Sequence, residues 1–214
     1  KIIDLGGEFH YQTKLTNINI KENKVTSIEI NHKEIIDTNV LVLAIGHSAR
    51  DTFEMLNQKP LSLEPKSFAV GLRIQHPQEL ININQYGKNT KLLPPASYKL
   101  TYQTKEGRGV YSFCMCPGGY VVNASSEEKR LAINGMSYHD RNSQNANSAI
   151  VVTISPKDYG TNPLDGLTFQ RELEEKAYAL GNGKIPIQTI KDFHNSVESK
   201  KLGNISPIFK GDYH

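Results

Sequence analysis

Apolar and polar residues alternate along the first part of the chain and then give way to an unbroken apolar run. Phe9–Gln12, Leu15–Ile20 and Val25–Ile30 carry an approximate period of two, and the polar groups Glu22-Asn23-Lys24 and Asn31-His32-Lys33 fall where hairpin turns belong. Val40-Leu-Val-Leu-Ala-Ile45 is apolar throughout, as suits a parallel strand covered on both faces. Gly46 then permits a sharp turn, Ser48 is the expected N-cap, and a helix is predicted from about Ala49 to Asn57, with Phe53 and Leu56 on one face and Lys59-Pro60 ending it. Strand, glycine turn and helix start in that order are the parts from which nucleotide sites are built, although most such junctions only connect elements.

The pattern changes where Pro60 and Pro65 fall close together, and a boundary is expected between Pro60 and Lys66. Beyond it the chain reads as strands at Phe68–Ile74, Ser97–Gln103, Val110–Cys116, Tyr120–Ala124 and Ala149–Ile154, with a short helix or turn after His76-Pro77. Lys105-Glu-Gly-Arg-Gly109 makes a hairpin loop. Thr168–Leu180 is the strongest helix pattern: Phe169, Leu173, Ala177 and Leu180 share a face, Thr168 caps it and Gly181 stops it. Residues 185 to 214 read as extended segments and loops. The expected class is α+β, in which residues 1–60 form part of an α/β unit, 61–200 a mixed and mainly antiparallel sheet with helices, and 201–214 a return segment.

Composition narrows the function more than the fold. The 214 residues carry a net charge of +3, and the lysines are scattered, so no basic patch interleaved with aromatics points to nucleic acid. No run approaches the roughly 20 apolar residues of a membrane span, and Lys1-Ile2-Ile3-Asp4 does not open a signal peptide; the expected compartment is the cytoplasm. The two cysteines, Cys114 and Cys116, are one residue apart, too close to staple anything, which argues for a reducing environment. Seven histidines without His-x-x-x-His spacing give no metal template, and no Gly-x-Ser-x-Gly run indicates a hydrolase.

The densest chemistry lies in residues 109 to 152. A strand ending in Pro117-Gly118-Gly119 exposes backbone N–H groups, and Asn123, Asn134, Ser137 and Arg141 offer neutral donors and one fixed cation, a lining for a polar or anionic small molecule. Arg73, inside an apolar strand, is the second anion anchor and needs a partner if it points inward. Cys114 and Cys116 at even spacing are expected on one face of their strand; they are the weak catalytic candidates, against the alternative of inert packing.

Val40-Leu-Val-Leu-Ala-Ile-Gly-His-Ser-Ala-Arg-Asp-Thr-Phe53, Phe68-Ala-Val-Gly-Leu-Arg-Ile-Gln-His-Pro77, Leu93-Pro-Pro-Ala-Ser-Tyr98, Phe113-Cys-Met-Cys-Pro-Gly-Gly119 and Asn134-Gly-Met-Ser137 together resemble bacterial FAD-dependent dehydrogenases of unassigned substrate, relatives of glutathione-reductase-type flavoproteins. The resemblance implies that residues 1–60 are part of an FAD-binding domain in which Leu15, Ala44 and Gly46 contact the cofactor. It implies that residues from Leu61 onward are an inserted substrate domain covering the flavin, with the substrate against the Cys114–Asn123 sheet. NAD(P)H or another electron partner is implied as well. The Gly-x-Gly-x-x-Gly turn that seats the pyrophosphate in such proteins does not occur in this sequence. The chain is therefore expected to be an internal fragment, inactive and without tightly held FAD by itself, whose strand Val40–Ile45 is covered by a partner copy or a rearranged segment. A stand-alone β-rich binding domain without catalysis is the alternative.

Overall fold

The computed structural model describes residues 1–88 and 92–202; the return segment expected at 201–214 lies almost wholly outside the described residues. The chain divides into two compact units, Lys1–Pro65 with Asn162–Leu167, and Lys66–Thr161 with the residues from Thr168 onward. The class is α+β, with antiparallel pairing in every sheet.

In the first unit β1 (Leu15–Lys21), β2 (Lys24–Ile30) and β3 (Glu34–Asp37) form a three-stranded meander in that order. The Glu22-Asn23 and Asn31-His32 turns reverse the chain where the sequence calls for it, and all four residues adopt positive φ, which asparagine tolerates better than most residues. Helix α1 (Arg50–Asn57) lies against β1, and Ile18, Ile30 and Leu56 form the buried centre of the unit. Two expectations are corrected. Ser48 is not the cap: Ala49 holds that position without a side-chain hydrogen bond, and the Ser48 hydroxyl faces the His47 ring instead, 3.3 Å away. Phe9–Gln12 is a turn-containing loop rather than a strand.

Val40–Ile45 is the larger correction. It pairs with no strand among the described residues, and Val40 and Val42 are 72% and 80% exposed. The composition is that of a doubly covered strand, but among the described residues the run has no ladder partner after β3, only a local hydrogen bond between Val40 and Thr38, and the expected cover by a rearranged segment is not found among them. A strand needs both its ladder and its faces; apolar content alone supplies neither.

The second unit is built on a four-stranded sheet in the order β4-β9-β6-β5, with β4 Phe68–Pro77, β5 Thr101–Gln103, β6 Gly109–Cys116 and β9 Asn145–Ile154. A two-stranded ribbon, β7 (Gly119–Asn123) with β8 (Ile133–Ser137), packs beside it. Strand β8 falls in a stretch that reads as polar loop, and β9 starts four residues earlier than its apolar part. Register in β4–β9 is continuous from Phe68↔Ile154 to Pro77↔Asn145. Gly71 makes that possible, because a Cβ there would stand 1.9 Å from the Ile150 carbonyl oxygen. Helix α2 (Gln78–Tyr86) follows β4, α3 (Pro156–Tyr159) follows β9, and α4 (Asp165–Leu180) starts three residues before the expected Thr168 cap. Phe68, Tyr159 and Phe169 cluster with ring centroids 5.1 to 6.4 Å apart. A further short helix, α5 (Ile190–His194), capped by Thr189, occupies part of the tail read as loops.

Candidate functional site

The site grows from a defect in β6. Phe113 pairs with Ala149 and Cys116 with Asn147, so Cys114 and Met115 together oppose one residue of β9. This is a β-bulge, and Cys114 adopts φ +48° to make it. The bulge breaks the alternation on which a shared face for the two cysteines depended: Cys114 is exposed and Cys116 buried. The Cys116 thiol donates to the Cys114 carbonyl at 3.3 Å. Burial, the largest influence, pushes that thiol's pKa up, while the nearby Arg73 cation pulls it down.

After the bulge comes the Pro117-Gly118 turn, which is held from two sides. Buried Gln78 accepts from the Gly118 N–H at 2.7 Å and donates to Ala96 O and Asn82 Oδ1 at 2.9 and 2.8 Å, tying the turn to α2. On the other side the Arg141 carbonyl oxygen lies 1.7 Å from where a Gly118 Cβ would stand, and Gly118 has φ +48°. Only glycine satisfies both demands. The loop bearing Arg141 is thereby seated on the turn, and Ser137 Oγ donates to Pro117 O at 2.7 Å.

The result is an open cavity of about 490 Å³ lined by Met115, Cys116, Pro117, Gly135 to His139 and Arg141. It brings together three residues the sequence singles out, Cys116, Ser137 and Arg141. Cys114 and Asn123 do not line it. Asn123 stands at the far end of β7, opposite Ile133, where its carboxamide oxygen accepts from the Ser125 N–H at 2.9 Å in a local turn. Asn134 accepts from the Gly135 N–H at 2.8 Å and from Arg73 Nη2 at 3.3 Å. Arg73 finds the partners its position in an apolar strand demands: its Nη1 also donates to Asn147 Oδ1 at 2.6 Å and Cys114 O at 3.2 Å. Gly135 lets it approach, since a Cβ there would lie 2.2 Å from both Arg73 Nη1 and Asn147 Oδ1.

Behind the sheet, His76 Nε2 and the Tyr98 hydroxyl lie 2.9 Å apart. Burial lowers the imidazole's pKa and raises the phenol's. Sequence reading missed Gln75, Gln78, Gly135 and Asn147. The available signal was Asn145-Ala-Asn-Ser148, polar residues leading into an apolar strand; all four are buried.

In the first unit the residues implied to touch a cofactor are half-buried Leu15, at the start of β1, and exposed Ala44 and Gly46. Gly46 has φ +69°, and none of the described residues lies within 4 Å of where its Cβ would be.

Residues 67–214 match the family model described as FAD-dependent protein, C-terminal domain-like. An uncharacterized protein of Clostridium beijerinckii is 54% identical over 215 residues, covering 98% of this chain; the chain spans 40% of that relative's length.

Proposed function

This chain belongs to the FAD-dependent protein family whose C-terminal domain it matches over residues 67–214, and from that premise we propose that it is the substrate-binding part of an FAD-dependent dehydrogenase related to glutathione-reductase-type flavoproteins. The proposed substrate is a polar or anionic small molecule. The observation that carries this reading is the cavity joining Cys116, Ser137 and Arg141 on a turn fixed by Gln78 and Gly118. Such a site is rigid at its base, polar at its rim and supplied with a cation, which suits orientation of a charged ligand.

The fit to FAD is tested at Gly46. Its left-handed backbone and the open space where a side chain would project suit a chain passing close to a bulky ligand. Leu15, Ala44 and Gly46 offer aliphatic surface and main-chain groups, a donor set for the adenosine part. The N-terminus of α1 does not suit the pyrophosphate, because Asp51 stands in its first turn, ion-paired to Lys14. When bound, the flavin supplies hydride chemistry. The chain's own residues bind and orient: Arg141 meets negative charge, while the Gly118 N–H bonded to Gln78 and the Ser137 hydroxyl bonded to Pro117 hold the turn beneath it in place. Cys116, buried with its pKa pushed up, is a neutral thiol in the cavity wall rather than an ionised nucleophile.

The test is an anaerobic titration of the full-length protein carrying this chain with NADH, NADPH and a panel of anionic and neutral small molecules. Bleaching of the flavin band by an anionic substrate, weakened at least tenfold in Arg141→Ala, is expected. Equal response to neutral and anionic compounds, with no effect of the substitution, would overturn the assignment.

A further inference from the structure

Arg73 is a cation without a counter-ion. All three of its side-chain hydrogen bonds go to neutral oxygens, those of Cys114, Asn134 and Asn147, and it has no carboxylate partner among the described residues. Its other neighbour is the Cys116 thiol, and no further oxygen acceptor for it is found among the described residues. A half-buried guanidinium so placed keeps its full charge with only part of its hydration, an arrangement that an incoming anion relieves.

A second observation is independent of charge. Asn147 is completely buried, and while its Oδ1 accepts from Arg73, its Nδ2 has no hydrogen-bond partner among the described residues. Gln75 stands directly opposite Asn147 in the β4–β9 register, and its Nε2 is likewise buried and without a partner among the described residues. Directly paired residues share a face of the sheet, so two unsatisfied amide donors lie side by side next to the guanidinium. Buried donors left empty are costly, and native structures rarely keep two together without an acceptor.

We propose that Arg73, Asn147 and Gln75 form a carboxylate-binding subsite, so that the ligand of this domain is a carboxylic acid whose anionic end sits beside Asn134 and Cys114. This rests on the ligand-binding reading above and names the substrate class within it. One cation and planar, forked donors match a planar monoanion; a phosphate dianion would leave a negative charge uncompensated. Gly135 is the enabling residue, since any larger one would push the guanidinium away from Asn147.

The experiment uses the 214-residue chain, labelled with nitrogen-15, titrated with sodium acetate against sodium chloride at equal ionic strength. Expected are saturable shifts of the Asn147 and Gln75 side-chain amides and of the Gly135 N–H with acetate alone. Asn147→Asp gives Arg73 an internal carboxylate and should weaken acetate binding at least tenfold. Asn134→Asp does the same from an exposed position, where folding is not at stake. Shifts equal in the two salts, shifts confined to the Arg141 loop, or binding unchanged in a folded aspartate variant would each overturn the subsite and leave the two amides to bound water. Flavin content of the full-length protein is read separately, so the subsite and the flavoprotein assignment fail by different measurements.

Discussion

Gly118→Ala separates a glycine required by close approach from one required only by a turn. The added Cβ meets the Arg141 carbonyl at 1.7 Å, and because that atom is backbone no rotamer change relieves the clash. Three costs combine. A non-glycine residue at φ +48° costs roughly 1–2 kcal/mol. Overpacking against fixed atoms costs about 1–3 kcal/mol. Displacing the turn breaks the 2.7 Å bond from Gly118 N–H to Gln78, about 1 kcal/mol, and strands a buried oxygen. The total is about 3–6 kcal/mol, or a fall in Tm of roughly 6–24 °C at the 2–4 °C per kcal/mol of a chain this size. Gly107→Ala is the control: φ there is +83° but nothing lies within 4 Å of the new Cβ, so only the backbone cost of about 1–2 kcal/mol applies. Thermal melts followed by circular dichroism decide it. If the two variants melt together, the close seating of the Arg141 loop on the Pro117-Gly118 turn is not what requires glycine.

Other expectations concern charge and the cores. Arg108 holds the Asp158 carboxyl well below the usual carboxylate range; a depressed acid contributes stability above its ordinary pKa that is lost as pH falls through and below it. Urea midpoints should therefore fall more steeply below about pH 4 in the wild type than in Asp158→Asn, and parallel curves would refute this. Burial lowers the His76 pKa, so the unfolded chain binds the proton first and stability should decline as pH drops through about 6.5; a flatter profile in His76→Gln between pH 7.5 and 5 checks it. Cys114 should react with a thiol reagent at least tenfold faster than Cys116 at pH 8, by mass spectrometry, because only Cys114 is exposed and burial holds the Cys116 thiol protonated. Equal labelling would contradict the bulge geometry. Ile18→Ala, at a position 3% exposed, should destabilise the first unit by about 2–5 kcal/mol in denaturant melts.

Period-two alternation locates β1 and β2, and their turns are legible because the polar groups Glu22-Asn23-Lys24 and Asn31-His32-Lys33 interrupt it, each with an asparagine. Helix α4 is equally plain as a helix, although Leu173 and Leu180 of its apolar spacing are 39% and 75% exposed. Val40–Ile45 misled because composition records what a strand was made to meet, whereas strand formation also needs neighbours, and none pair with it among the described residues. β8 was missed because Asn134-Gly-Met-Ser137 looks like a turn; its glycine serves instead to admit Arg73. Even spacing puts Cys114 and Cys116 on one face, and a single bulge separates them. Arg73 was flagged by its apolar setting, but the partners that give it meaning, Asn147 and Gln75, lie 74 and 2 residues away, and only the register of β4 against β9 brings all three together.

Flavin content of the full-length protein bearing this chain tests the central claim most directly. FAD released by denaturation is expected at one per chain, with retention weakened when Gly46 is replaced by a bulky residue such as leucine. Purified, folded protein that carries no flavin and takes up none when FAD is added would contradict it.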